Sequence, residues 1–189
     1  DPQADDGAWA YVGLVGKVSG AKNQAGESVV GKIQNVKNFA KLIIPEGTSK
    51  IKFAVGGIAS MLEATGATVE GCVNHGDIEI LNTGEPAAKT CVIGGLVGKF
   101  DYEGSIINCE NRGNITNEHA GVRGIGGIIG DTNAKPLDIT PTIKGTDNYG
   151  AIYLNNSVTE IFAGGIVGRF VGGIIDDCRI ADRLRFWCG

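Results

Sequence analysis

The chain has 189 residues, a formal charge of −4 and 42% hydrophobic residues, enough for one ordinary domain or for a stack of short repeats around a continuous core. Its lysines and arginines are scattered, without the basic stripe and interleaved aromatics of a nucleic-acid surface, and no run of about 18 apolar residues could cross a membrane. Glycine supplies 31 residues against 5 prolines, which excludes a disordered proline-rich linker and gives glycine a positional role.

The chain opens on Asp1-Pro2-Gln3 without the basic-then-apolar order of a leader, so an exported form would already have lost one. From Val12 onward two motifs alternate, and such self-similarity takes precedence over the assignment of single elements. The first is Val12-Gly13-Leu14-Val15-Gly16, with Val12 in place of a first glycine. It recurs as Val55-Gly56-Gly57-Ile58-Ala59-Ser60, Ile93-Gly94-Gly95-Leu96-Val97-Gly98, Ile125-Gly126-Gly127-Ile128-Ile129-Gly130 and Ala163-Gly164-Gly165-Ile166-Val167-Gly168.

The second motif, Ile-x-x-Cys-x-Asn-x-Gly-x-Ile, follows each copy of the first. It is weak at Ile33, Val36, Asn38, Ala40 and Leu42. It is clear at Val69, Cys72, Asn74, Gly76 and Ile78, and at Ile106, Cys109, Asn111, Gly113 and Ile115. A fourth copy, Ile143, Thr146, Asn148, Gly150 and Ile152, carries threonine for cysteine. The last keeps Ile175, Cys178 and Leu184 but has Ile180 and Asp182 where asparagine and glycine belong; terminal repeats are commonly atypical because they cap a stack. The pairs predict a single β-solenoid domain over residues 1–189, with repeats at approximately 10–50, 51–90, 91–121, 122–160 and 161–189.

Marked residues of the second motif lie two positions apart, so in extended chain they share one face: Cys109, Asn111, Gly113 and Ile115 point one way, Glu110, Arg112 and Asn114 the other. Parallel stacking would place Asn38, Asn74, Asn111 and Asn148 above one another as a hydrogen-bonded ladder, with Cys72, Cys109 and Thr146 as a small-residue ladder beside it. The first motif reads as a short strand entered and left through tight glycine bends. Ser60-Met61-Leu62-Glu63-Ala64 is too short for a helix of its own and reads as an inter-strand loop. Ser19 to Ser28 and Asp131 to Thr142, the latter with Pro136 and Pro141, read as projecting loops.

Several chemistries drop out. Gly121-x-x-Gly124-x-Gly126 has glycines like a phosphate loop, but no amphipathic helical run follows any copy, so no cofactor is expected. The five cysteines (Cys72, Cys91, Cys109, Cys178, Cys188) form no Cys-x-x-Cys pair and predict no metal site. They read either as buried thiols or, in an exported protein, with a Cys178–Cys188 bridge.

Gly13-Leu14-Val15-Gly16 and Gly95-Leu96-Val97-Gly98 match Gly-Leu-hydrophobic-Gly, and with the paired Cys-x-Asn-x-Gly-x-Ile half the chain resembles the GLUG-motif repeat family over most of Val12 to Leu184. The resemblance implies an all-β, right-handed parallel β-helix-like solenoid in secreted or surface-anchored bacterial proteins, among them adhesins and non-catalytic parts of immunoglobulin A peptidases. The repeat defines no catalytic residues. Those peptidases need a His-Glu-x-x-His zinc motif, and this chain has only His75 and His119.

The expected function is therefore a non-catalytic adhesion or binding module, extracellular or at the cell surface, with a host or matrix glycoprotein or polysaccharide as partner. The alternatives are a carbohydrate-active β-helix enzyme, which would need clustered carboxylates, and a structural spacer. Asp176-Asp177 is an adjacent acidic pair whose side chains should diverge and stay solvated. His75 is expected to point outward and His119 to lie in a polar loop. No catalytic, cofactor-binding or metal-binding residue is assigned, and Trp9 and Trp187 are expected to cap the two ends of the stack.

Overall fold

The computed structural model describes residues 9–46, 52–81, 91–119, 121–132, 140–154 and 161–180. They form short strands and no helix. The described residues make five circuits, and equivalent strands of successive circuits pair in parallel, so the sequence period becomes a stack of five coils among them. The first sheet contains Trp9–Val12, Lys52–Gly56, Cys91–Gly94, Val122–Gly126 and Phe162–Gly164. The second contains Val15–Lys22, Ala59–Glu63, Val97–Phe100, Ile129–Thr132 and Val167–Phe170. The third contains Lys32–Gln34, Ala67–Glu70, Gly104–Ile107, Thr142–Lys144 and Ile174–Asp176. The fourth has Lys37–Asn38, Val73–Asn74, Glu110–Asn111, Asp147–Asn148 and Arg179–Ile180. The fifth has Leu42–Ile44, Ile78–Ile80, Ile115–Asn117 and Ile152–Leu154. This is the all-β, parallel, β-helix-like solenoid of repeats that the motifs predict.

Register carries the prediction down to single residues. Asn38 pairs with Asn74, Asn74 with Asn111 and Asn111 with Asn148. Each Nδ2 donates to the next Oδ1, at 2.8, 2.9 and 2.9 Å, and also to the carbonyl two residues on, at Ala40, Gly76, Gly113 and Gly150. All four side chains are buried, so a polar column crosses the interior with its amides satisfied by its own repeats.

The cysteine column has a rule of its own. The Cys72 N–H donates to Cys109 Sγ at 3.3 Å and the Cys109 N–H donates to Thr146 Oγ1 at 3.3 Å. Each coil thus hands a buried backbone donor to the side chain of the coil after it. Threonine can replace cysteine because either supplies an acceptor. Val36 is tolerated in the first coil, which has no earlier coil among the described residues to serve.

The glycine motif differs from its expected form. Its glycine pair ends one strand and turns a corner into another: the first-sheet strands stop at Gly56, Gly94, Gly126 and Gly164, and the second-sheet strands start at Ala59, Val97, Ile129 and Val167. A Cβ on Gly57, Gly95 or Gly127 would collide with the side chain of Asn74, Asn111 or Asn148. The corner therefore touches the asparagine column, and this contact joins the two motifs physically. Past the corner the first and second sheets run back to back, close enough that a Cβ on Gly98 would lie 2.8 Å from the Val55 carbonyl oxygen. Ser60, at the last-glycine position, is buried, and its hydroxyl donates to the Ala54 carbonyl at 2.6 Å.

That contact divides the interior. One apolar cluster gathers Ile58, Leu62, Val69, Leu96, Phe100, Ile106, Ile128 and Ile143 under the second to fourth sheets. The other gathers Phe53, Val55, Ile78, Ile93, Ile115, Ile125 and Ile152 between the first and fifth.

Four local expectations are corrected. Val12 pairs with Val55, so it does not replace a first glycine; the first coil turns its corner on Gly13-Leu14, one residue shorter than the others. Ser60 to Glu63 belong to a buried strand in register with Val97–Phe100, because inter-coil pairing outweighs a five-residue propensity. Ser19 to Ser28 form most of an antiparallel hairpin on the end of Val15–Lys22, closed by the Asn23 side chain accepting from the Ala25 and Glu27 N–H groups. Of the predicted loop from Asp131 to Thr142, Asp131 and Thr132 are strand, Thr142 begins the next one, and 133–139 lie outside the described residues.

Candidate binding surface

The residue between each buried asparagine and the following glycine or alanine points outward, because side chains alternate in extended chain. These residues are Phe39, His75, Arg112 and Tyr149, and the asparagine register aligns them in one exterior column. All four end in a planar group. Phe39 and His75 stack with ring centroids 4.6 Å apart and planes 5° from parallel, close to the inter-strand spacing of about 4.8 Å. The Arg112 guanidinium lies over the Tyr149 ring, its carbon 5.7 Å from the centroid, a favourable cation–π arrangement.

The column is anchored by hydrogen bonds and left open to solvent. Arg112 Nε donates to Glu110 Oε2 at 2.7 Å, and the Tyr149 hydroxyl donates to Asp147 Oδ2 at 3.2 Å. Phe39 is 71% exposed and Tyr149 51%. Ile43 and Tyr153 are exposed on the neighbouring face of the fifth sheet. A chain with only 6% aromatic residues thus concentrates several on one side. Such a strip can offer flat apolar contact and edge hydrogen bonding to an elongated ligand. No protein-family model, curated protein or solved structure matches this chain. The functional reading therefore rests on its own geometry.

A second cluster lies where the outer edges of the first two sheets meet. Lys17 pairs with Glu63, Lys99 Nζ with Asp101 Oδ2 at 2.7 Å, and Arg169 Nη2 with Asp131 Oδ2 at 2.6 Å. Lys99 also sits 5.1 Å over the Trp9 ring, and Lys17 5.9 Å over Tyr11. The Oδ1 atoms of Asp101 and Asp131 are buried without a hydrogen-bond partner among the described residues. Burial pushes the Asp101 carboxyl above its ordinary range, against the pull of Lys99. With one cation on each carboxylate, the arrangement is a set of ion pairs, of which Lys17–Glu63 and Arg169–Asp131 join neighbouring coils while Lys99–Asp101 lies within one. No group of three metal-ligating side chains occurs among the described residues.

The residues weighed from sequence fall elsewhere. Asp177 occupies a corner with φ of 48°, in a column with Asn35 at 55°, Gly71 at 61°, Asn108 at 51° and Gly145 at 57°. Only residue types that tolerate the left-handed region turn this corner, which gives Asp177 a backbone role. The column is legible in the sequence, since each member directly precedes the cysteine-column residue. Asp176 is solvated and paired with Lys144 at 2.9 Å.

His75 does point outward, but into the stack with Phe39. His119 is buried, against its expected place in a polar loop: it tilts against Phe53 at 5.5 Å, and burial lowers its pKa. Trp9 lies along the side of the stack under Lys99, a residue of the third coil, and so does not cap the first. Trp187 lies outside the described residues. Cys72, Cys91, Cys109 and Cys178 form no disulfide among the described residues, and burial pushes the Cys91 thiol up to about 11; Cys188 also lies outside the described residues.

Proposed function

We propose that the chain is a non-catalytic binding or adhesion module, secreted by or displayed on a bacterial cell in the manner of the GLUG repeats it resembles. It would hold a host or matrix glycoprotein or polysaccharide along the outer column. The reading rests on one observation: Phe39, His75, Arg112 and Tyr149 expose planar groups in a line, although nothing in the packing of the coils requires planarity outside. Sugar rings present flat C–H faces between hydroxyls, which suits apolar rings flanked by charged donors and acceptors.

The test is a glycan array combined with turnover assays on every glycan retained. Binding without product formation is expected, and Phe39→Ala with Tyr149→Ala should abolish it while leaving the circular-dichroism spectrum unchanged. Unchanged retention by that double variant would overturn the reading.

A carbohydrate-cleaving enzyme is the second reading, and one observation favours it: Asp101 has a raised pKa and lies near a second buried carboxylate, Asp131, as an acid and its partner would require. Turnover of a retained glycan that is lost in Asp101→Asn would establish it.

A further inference from the structure

A net charge of −4 conceals a sharp separation along the stack. Residues 9–46 carry five lysines against two glutamates, a formal +3, whereas residues 52–81 carry one lysine against three glutamates and one aspartate, a formal −3. The two coils are tied by Lys17 to Glu63, by Lys41 to Glu79 at 2.5 Å and by Gln34 to Glu70 at 2.8 Å. These contacts leave Lys32 and Lys37 exposed, with no carboxylate partner among the described residues.

Both lysines belong to the outward set of the first coil. Ile33, Asn38 and Ile44 are buried, while Lys32, Lys37, Phe39, Lys41 and Ile43 are exposed. Lys37 stands two residues before Phe39, in the strand Lys37–Asn38, and Lys41 two residues after it, past the bend that leads into Leu42–Ile44. One face of the Phe39 ring is covered by His75 of the second coil. The strand Lys37–Asn38 that leads into it is the outermost of its sheet among the described residues, and Phe39 is 71% exposed, so its other face is open to solvent.

We infer that this end of the column is a subsite for an acidic polysaccharide, a uronate-bearing chain that seats a sugar ring on the exposed face of Phe39 and its carboxylates against Lys37 and Lys32. The inference rests on the binding function proposed above and names the chemical class of its ligand. A polymer with about one charge per ring suits two exposed lysines on the coil that carries the exposed aromatic ring. Nucleic acid and anionic membranes demand denser basic surfaces, commonly of four to eight cations.

Binding of an oligogalacturonate to the whole chain, followed by calorimetry at increasing salt, tests the subsite. Expected are weakening with salt, a loss of roughly threefold to tenfold in Phe39→Ala, and a loss of roughly twofold to fivefold in each of Lys32→Gln and Lys37→Gln with a shallower salt dependence. Lys144→Gln, on the fourth coil and paired with Asp176, should bind like the parent. Equal affinity for the methyl-esterified oligomer would overturn the acidic class while leaving the binding column standing. Tighter binding to single-stranded DNA or to phosphatidylserine vesicles than to the oligogalacturonate would overturn the polysaccharide assignment. Loss of all glycan retention in His75→Ala and Tyr149→Ala, with oligogalacturonate binding also absent in the parent, would keep the column and remove this subsite. Retention that is indifferent to Phe39, His75 and Tyr149 would remove both.

Discussion

Two columns one residue apart in sequence behave in opposite ways. The inner one repeats a single side chain, Asn38, Asn74, Asn111 and Asn148, while the outer one never repeats, running Phe39, His75, Arg112 and Tyr149. Inside, each amide must meet the amide below it and the carbonyl of its own bend, so one chemistry satisfies every level. Outside, water satisfies whatever is placed there, and packing imposes no identity. Residues that are planar without being forced to be so are the ones that point to function.

The largest expected effect breaks the inner column. Asn111→Leu removes the acceptor of Asn74 and the donor to Asn148, and should destabilise by roughly 3 kcal/mol through unpaired buried amides, read as a shift in the denaturant midpoint. Its outward neighbour, Arg112→Ala, should shift the same midpoint by less than about 0.5 kcal/mol. Similar losses at the two positions would erase the distinction between the columns.

A smaller effect tests the hand-over rule of the cysteine column. Cys109→Val leaves the buried Cys72 N–H without an acceptor and should cost roughly 1 to 2 kcal/mol. Cys109→Thr should recover most of that loss, because Thr146 already accepts the equivalent N–H in the next coil. Equal costs would assign the column to volume alone.

The smallest concerns His119. Burial lowers its folded pKa below the ordinary 6.5, so the unfolded state binds the proton more readily and stability should fall as pH drops through that value. His119→Gln should flatten the stability curve between about pH 7 and 5. An unaltered slope would place the titration elsewhere.

Much of this architecture is legible in the sequence. The two-residue spacing of Cys109, Asn111, Gly113 and Ile115 separates inside from outside, and the recurrence of asparagine aligns the coils, because parallel in-register stacking places like upon like. The outer column follows from the same alignment. It is inconspicuous there because a histidine, an arginine and two aromatic residues share only flatness, which composition and hydropathy do not report. The left-handed corner of Asn35, Asn108 and Asp177 is equally readable, yet Asp177 stands out in the sequence as an acid beside another acid. The strand at Ala59–Glu63 is not readable, since its pattern is locally ambiguous and only its neighbours Val15–Lys22 and Val97–Phe100 impose extension.

The sequence by itself determined that this protein is a stack of parallel strands with an asparagine core column, since those features depend on a residue meeting its own equivalent one period away. Tertiary structure alone decided that the Gly-Gly corner reaches the asparagines and splits the core, that Ser60 and Gly98 seat one sheet against the back of another, and that His119 is buried against Phe53. Those contacts join unlike segments of the coil, and a periodic pattern carries no information about which unlike segments will meet.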